Sequence, residues 1–254
     1  MAVVKWTCEH VHLAVDHGSK RGMIIIDYEE QRDSVFLGDD PYLAHVVPES
    51  GATQSEKEHL SGTKELAERN CPLEILKNIV ISGALLHDAG KLSEEFYAYM
   101  EDVLKNGEKA RKQTIDHTSA GGRILENITR RGPLSEFIGM AVYSHHGLQD
   151  GIEMETGTAL FEKRREKEID FETVRQRYFQ IIDKKCLVRY LAAAHADLGK
   201  ICKQIDDFVQ SAGGKDCGSK EFYLGMFERL TLSVLIDSDW TDTACFCQNE
   251  SRPE

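Results

Sequence analysis

Apolar positions recur along most of this chain with a period near 3.6, so the pattern predicts a protein built mainly of helices. The densest apolar run lies within Leu73–Ala89, which reads as a buried helix opened by Pro72 and stopped by Gly90. Before it, Ser55 or Thr53 is placed to cap a helix reaching about Glu68, with Glu58 completing a capping box with Ser55. That helix carries His59, Thr63, Leu66 and Ala67 near one stripe. Beyond Gly90 the pattern predicts a short amphipathic helix over Phe96–Leu104 and an exposed basic loop over Lys105–Lys112. A helix follows within DHTSAGGRILENI, with His117 near its start, and Pro133 opens another that runs to His145-His146 with Gly147 as its stop. Leu148–Phe171 reads as a surface excursion with one helical turn around Ala159–Lys167, its EKRREKE run a solvated face. Lys184–Val209 is a long helix, Ser211–Ser219 a loop, and Phe222–Ile236 a last buried helix ending at Asp237-Ser238-Asp239-Trp240. Near the start, Met23–Tyr28 (MIIIDY) has strand character and pairs with Ser34–Leu37, while Tyr42–His45 leads into a loop over Pro48–Ser55.

No internal repeat or strong linker interrupts the body, so the fold class is all-α with a short β-hairpin near the N-terminus. The division is an N-terminal extension over 1–42 packed on a main domain over 43–247, and a frayed polar tail over 248–254. A hydrophobic content of 41% and a charged content of 29% are those of a soluble globular protein. The net charge of −12 argues against a general electrostatic grip on nucleic acid, though bound cations can recharge a carboxylate-rich site. Seven scattered cysteines without a CxxC pair fit a reduced, cytoplasmic setting. No signal peptide opens the sequence and no apolar run reaches ~18 residues, so no membrane span is expected.

The chemistry gathers at the ends of these helices. His59, His87, Asp88, His117, His145, His146 and an acid near the end of the chain are candidate ligands, most of them in apolar stretches where an unpaired imidazole is costly to bury. Imidazole and carboxylate together suit Mn²⁺, Fe²⁺, Co²⁺ or Ni²⁺, and with water they also serve Mg²⁺. The absence of thiolates speaks against structural zinc. Seven side chains exceed the needs of one ion but serve two that share a carboxylate. That arrangement, ~3.5–4 Å across, activates a water and clamps phosphoryl oxygens in phosphoester hydrolysis. Several neighbours have blander readings. Asp197, beside His195, is a packed polar group, and His10, His12 and His17 suit the surface or one face of a strand. Cys245-Phe-Cys247 lacks the second half of a metal clip, and Gln149-Asp150 reads as a polar turn. His45 either lines the site or closes a turn. Asp237 and Asp239 stand two apart and cannot share a helix face.

LAH (43–45), EHL (58–60), GALLHDAGKLSEEFYAYM, DHTSAGG, YSHHGLQDG and LSVLIDSDWTDT follow one another in the order H…HD…H…HH…D. Over roughly Leu43–Ala244 this resembles the HD phosphohydrolase superfamily, and within it the HD nuclease of CRISPR-associated type I interference, an antiviral defence system. The resemblance implies that His59, His87, Asp88 and Asp239 hold one ion. It implies that Asp88 bridges to a second ion held by His117, His145 and His146. It favours Asp239 over Asp237, places Thr243 where the family often has a small residue, and sets Lys91 beside the scissile phosphate. The implied activity is metal-dependent cleavage of single-stranded DNA, endonucleolytic and then progressive. The implied partners are a superfamily 2 helicase, fused C-terminally or in trans, and the surveillance complex. Two other readings compete: an HD phosphohydrolase acting on nucleotides or cyclic nucleotides, and a non-catalytic module that only recruits a partner.

Overall fold

The structure, a computed structural model, describes residues 35–107, 115–146, 160–211 and 217–253. Its only sheet among these residues is a hairpin of β1 (Leu43–Val47) and β2 (Ala52–Ser55), antiparallel, with Val46 opposite Thr53 and His45 opposite Gln54. Helices follow: α1 (Glu56–Asn70), α2 (Lys77–Leu86), α3 (Glu94–Asn106), α4 (Ser119–Thr129), α5 (Pro133–Ser144), α6 (Leu160–Arg165), α7 (Phe171–Ile181), α8 (Lys184–Ser211) and α9 (Cys217–Gln248).

At the centre lies α2. From Ile79 to Leu86 every residue is buried, and an all-round apolar helix is stable only inside a shell of others. Here α1, α4, α5, α8 and α9 supply that shell. Tyr178 on α7 adds a polar tie, its hydroxyl donating to the carbonyl of Leu85 at 2.8 Å. The helix starts at Lys77 after a single 3₁₀ turn, Glu74–Leu76, and ends with His87 as its C-cap. It does not stop at Gly90 as the apolar pattern suggests. Asp88 leaves helical geometry at φ −105°, ψ 13°, and Ala89–Leu92 form a 3₁₀ turn containing Gly90. Gly90 is there for close approach, because a Cβ would lie 2.3 Å from the carbonyl oxygen of His117. That contact draws the His117 segment onto the end of α2.

The capping box at Ser55 is present. Its side chain accepts from the Glu58 amide (3.2 Å), and Glu58 accepts from the Ser55 amide (2.8 Å). The segment before it is strand rather than loop, because Gly51 at φ 69° turns the chain back on itself. Among the described residues, 35–37 run against the end of α7. Phe36 bridges to Ile182, with Leu37 N–H on the Ile181 carbonyl at 2.9 Å. Met23–Tyr28, the 1–34 part of the N-terminal extension, Gly147 and the 148–159 part of the excursion lie outside the described residues.

Other differences have local causes. The EKRREKE run is a solvated face only in part: Lys163, Glu166, Lys167 and Glu168 are exposed, but Arg165 is buried against Glu126 and Glu162, and Arg164 donates to Thr118 Oγ1 at 2.8 Å. The pattern also passed over α7, whose buried residues Val174, Tyr178 and Ile181 keep a helical spacing within a strongly charged stretch. Neither does α9 stop at Trp240. It runs to Gln248 and closes with Asn249 in the left-handed region (φ 54°), where the Asn249 and Glu250 amides donate to the carbonyls of Phe246 and Cys245. Residues 249–253 are therefore led back over α1 rather than frayed. Truncating Leu85→Ala in the fully buried centre of α2 is expected to cost about 2–5 kcal/mol, read from the midpoint of urea unfolding at unchanged slope.

Candidate metal centre

Two helix ends face one another across the site, and both present a histidine in the same way. His87 closes α2 and donates Nδ1–H to the Ala84 carbonyl (2.9 Å); His145 closes α5 and donates to Val142 (2.8 Å). Each ring is thereby held in one tautomer with Nε2 turned away from its own helix. His117, just before α4, donates Nδ1–H to Ile115 (2.9 Å). Its segment is pinned by the Asp116 side chain, which accepts from the Thr118 and Ser119 amides. His59 on α1 donates Nδ1–H to Asp242 (2.8 Å).

All of these meet at Asp88. Its Oδ2 lies 3.2 Å from His59 Nε2 and 3.3 Å from His87 Nε2, and Asp239 Oδ1 lies 3.2 Å from that same nitrogen of His59. Its Oδ1 lies 3.1 Å from His145 Nε2 and 3.7 Å from His117 Nε2. His117 Nε2 in turn touches His146 Nε2. Two sets result, one of His59, His87, Asp88 and Asp239 and one of Asp88, His117, His145 and His146. In each set the ligand atoms lie within 4.8 Å of one another. The first set is wholly buried, while His146, one residue past the α5 cap, is exposed.

A family model described as the HD domain of Cas3 matches residues 51–204, more than half of the chain. The chain belongs to the Cas3 HD family. It is thus a CRISPR-associated HD domain of the nuclease kind, a metal-dependent hydrolase. No curated protein and no solved structure matches it. The Cas3 HD match holds six of the seven residues above and stops short of Asp239, which α9 brings in from outside the matched span.

The donor chemistry of this Cas3 HD chain fits a divalent cation. Imidazoles whose Nδ1–H is committed offer only a lone pair at Nε2, and ionised carboxylates offer only lone pairs, so facing sets of them repel. His87 Nε2 is buried with no hydrogen-bond partner. Without a cation, protons take up the strain. Burial and the Lys91 charge pull the His59 pKa down, but Asp239, Asp242 and Asp88 outweigh them and raise it to about 9. His87 is likewise raised against the pull of burial by Asp88 and Asp239. Burial pushes Asp88 and Asp239 up, yet the surrounding positive groups hold both well below the usual carboxylate range. At His117 and His146 burial dominates: it lowers His117, and with His145 beside it His146 falls to about 4. Imidazoles kept neutral are ready to ligate.

Lys91 is buried, its Nζ 2.7 Å from Asp88 Oδ2 and 3.0 Å from His45 Nε2. Burial lowers its pKa, but Asp88, Glu56 and Asp239 raise it more, so it stays an ammonium. His45 therefore lines the site, together with Asp88, Lys91, His146, Asp239, Trp240 and Thr243, around an open pocket of about 380 Å³. A larger cleft of about 800 Å³ lies between the hairpin, α1 and the end of α9, but of the site's charged groups it reaches only Asp242. Asp237 is exposed and meets Asn70, so the two acids part as their spacing requires. Asp197 pairs with Asn78 and Lys200 away from both sets, and no cysteine joins either set among the described residues. His10, His12, His17, Gln149 and Asp150 lie outside the described residues.

Two residues were missed by the motif order. Asp242 lies one turn beyond Asp239, a spacing that a longer α9 would have revealed. Glu56 is fully buried with neither oxygen hydrogen-bonded, and nothing in its charged local sequence signals that. Burial raises its pKa from 4.5 to about 8. An acid raised in this way favours the fold fully below its unfolded value, and that support is lost as pH rises through the folded one. His59, raised from 6.5 to about 9, has the same sign over its own window. The lowered His117 and His146 work the other way below pH 6.5, so metal-free protein should lose thermal stability from about pH 6.5 to about pH 9. Glu56→Gln should exceed the parent in Tm by a margin that widens up to about pH 8; a margin constant with pH would contradict a neutral Glu56.

Proposed function

We propose that this Cas3 HD chain is a two-metal deoxyribonuclease that cuts single-stranded DNA in type I CRISPR interference. It would act in the cytoplasm on strand delivered by a superfamily 2 helicase at the surveillance complex. The observation that carries this reading is the division of Asp88, one oxygen towards each histidine set, as a carboxylate bridging two cations would require. His59, His87, Asp88 and Asp239 would hold one ion, and Asp88, His117, His145 and His146 the other. Bound there, Mn²⁺, Fe²⁺, Co²⁺, Ni²⁺ or Mg²⁺ would lower the pKa of an attacking water and neutralise phosphoryl oxygens.

The chain's own groups do the rest. Lys91, charged and held beside Asp88, faces the pocket where a phosphate would sit and stabilises the charge that grows on it. Fixed Nδ1–H tautomers keep four imidazoles aimed inward without reorganisation during the reaction. Trp240, 62% exposed at the pocket rim, offers a face on which a base can stack, a contact that tolerates any sequence. Such stacking suits an unpaired base. No helix among the described residues is long and apolar enough to cross a membrane.

Incubating the protein with circular single-stranded DNA, and separately with a panel of nucleotides and cyclic nucleotides, distinguishes the two hydrolase readings. Cleavage of DNA is expected with Mn²⁺, Co²⁺ or Ni²⁺ and none after chelation. His87→Ala and Asp88→Ala should abolish it with the helical circular-dichroism signal retained, and Lys91→Ala should slow it by about 10²–10³-fold. Near-parental activity in either His87→Ala or Asp88→Ala defeats the assignment, and metal-independent recruitment of a partner with no cleavage would favour an adaptor.

A further inference from the structure

Asp242 is 1% exposed, and its carboxylate takes three hydrogen bonds. Oδ2 accepts from His59 Nδ1–H (2.8 Å) and from Gln54 Nε2–H (2.8 Å), and Oδ1 accepts from Arg252 Nε–H (2.6 Å). Arg252 arrives because the turn at Asn249 sends the chain back over α1. Space for the contact is left at Gly62, where a Cβ would stand 1.8 Å from Asp242 Oδ1 and 2.3 Å from the Arg252 guanidinium.

The contacts continue past Gln54. Its Oε1 accepts from His45 Nδ1–H (2.8 Å), His45 Nε2 accepts from Lys91 (3.0 Å), and Lys91 donates to Asp88 Oδ2 (2.7 Å). His59 Nε2, 3.2 Å from Asp88, closes the circuit. Six side chains thus form one ring, in which the donors between Lys91 and Asp242 all run in one direction. Each member has its partner, so no ring nitrogen or amide is free to turn.

We infer that Asp242 is the positioning residue of the His59 set: it fixes His59 as the Nδ1–H tautomer, aims Nε2 at the cation, and through Gln54 and His45 holds Lys91 on Asp88. A carboxylate behind a ligating imidazole raises its basicity and locks its orientation, and its loss typically weakens metal binding 10–100-fold. Asp242 touches neither cation nor substrate in this role. The inference rests on the two-metal reading.

Mn²⁺ titration of the metal-free full chain by calorimetry tests it without reference to catalysis. The parent should take up two equivalents. Asp242→Ala should weaken one of them about 10–100-fold and leave the other unchanged. Asp242→Asn, which keeps shape and an acceptor oxygen, should weaken the same one by a smaller factor, and it carries the test if the alanine variant fails to fold. His146→Ala, as a reference, should strike the other equivalent. Parental uptake of both equivalents by Asp242→Asn and Asp242→Ala overturns the inference and leaves the two-metal reading standing. A parent that takes up no Mn²⁺ overturns both.

Discussion

A carboxylate stripped of water at the centre of a helical protein must be compensated, and Asp88, 1% exposed, is that group here. Lys91 and the imidazoles gathered round it supply the compensation, and their positions follow from its two oxygens. Removing Asp88 would leave the Lys91 ammonium and the Nε2 faces of several imidazoles without the carboxylate they share. The fold around it reads as a means of bringing these groups to one point from five helices or helix ends distant in sequence.

Helix termini solve most of that problem cheaply. At the end of α2 and of α5, the last carbonyls lack partners within the helix and carry partial negative charge. A histidine at the cap satisfies one of those carbonyls with Nδ1–H and turns Nε2 outward, so capping and ligand placement are a single act. The same carbonyl ends favour a cation nearby. His117 uses a loop carbonyl in the same manner, and His59, in the first turn of α1 where the helix leaves amides rather than carbonyls open, relies on Asp242 instead. Precision comes from rigid elements, since α2 is held on every side.

Much of this was legible in the sequence for identifiable reasons. Long apolar periodicities such as Ile79–Leu86 and the Ser55–Glu58 box are strong local signals, and both elements form. The order of histidines and acids pointed to one cluster, and the residues do converge. What stayed hidden depends on tertiary context. Gly90 reads as a helix stop by composition, yet its use is a close approach to His117 that only the packed chain reveals. The basic run at 163–167 is polar by composition, but Arg165 finds Glu126 on another helix and is buried. Asp242 and Glu56 look like ordinary surface acids until α9 and α1 are seen side by side.

The overall charge constrains how such a site can be used. Nonspecific affinity for nucleic acid comes from Lys and Arg neutralising phosphates and releasing counterions, and 31 of these against 43 acids leave a field that repels a polyanion. Affinity for a strand must then be local. It can come from Lys91, from the cations of the proposed reading, and from stacking on Trp240, which does not depend on releasing counterions. Each of these acts only within contact distance, so on the proposed reading bulk DNA would not be drawn in and a strand would have to be delivered to the pocket. An acidic hydrolase paired with a motor that feeds it would gain selectivity from that repulsion, because only the strand being pushed towards Asp88 overcomes it.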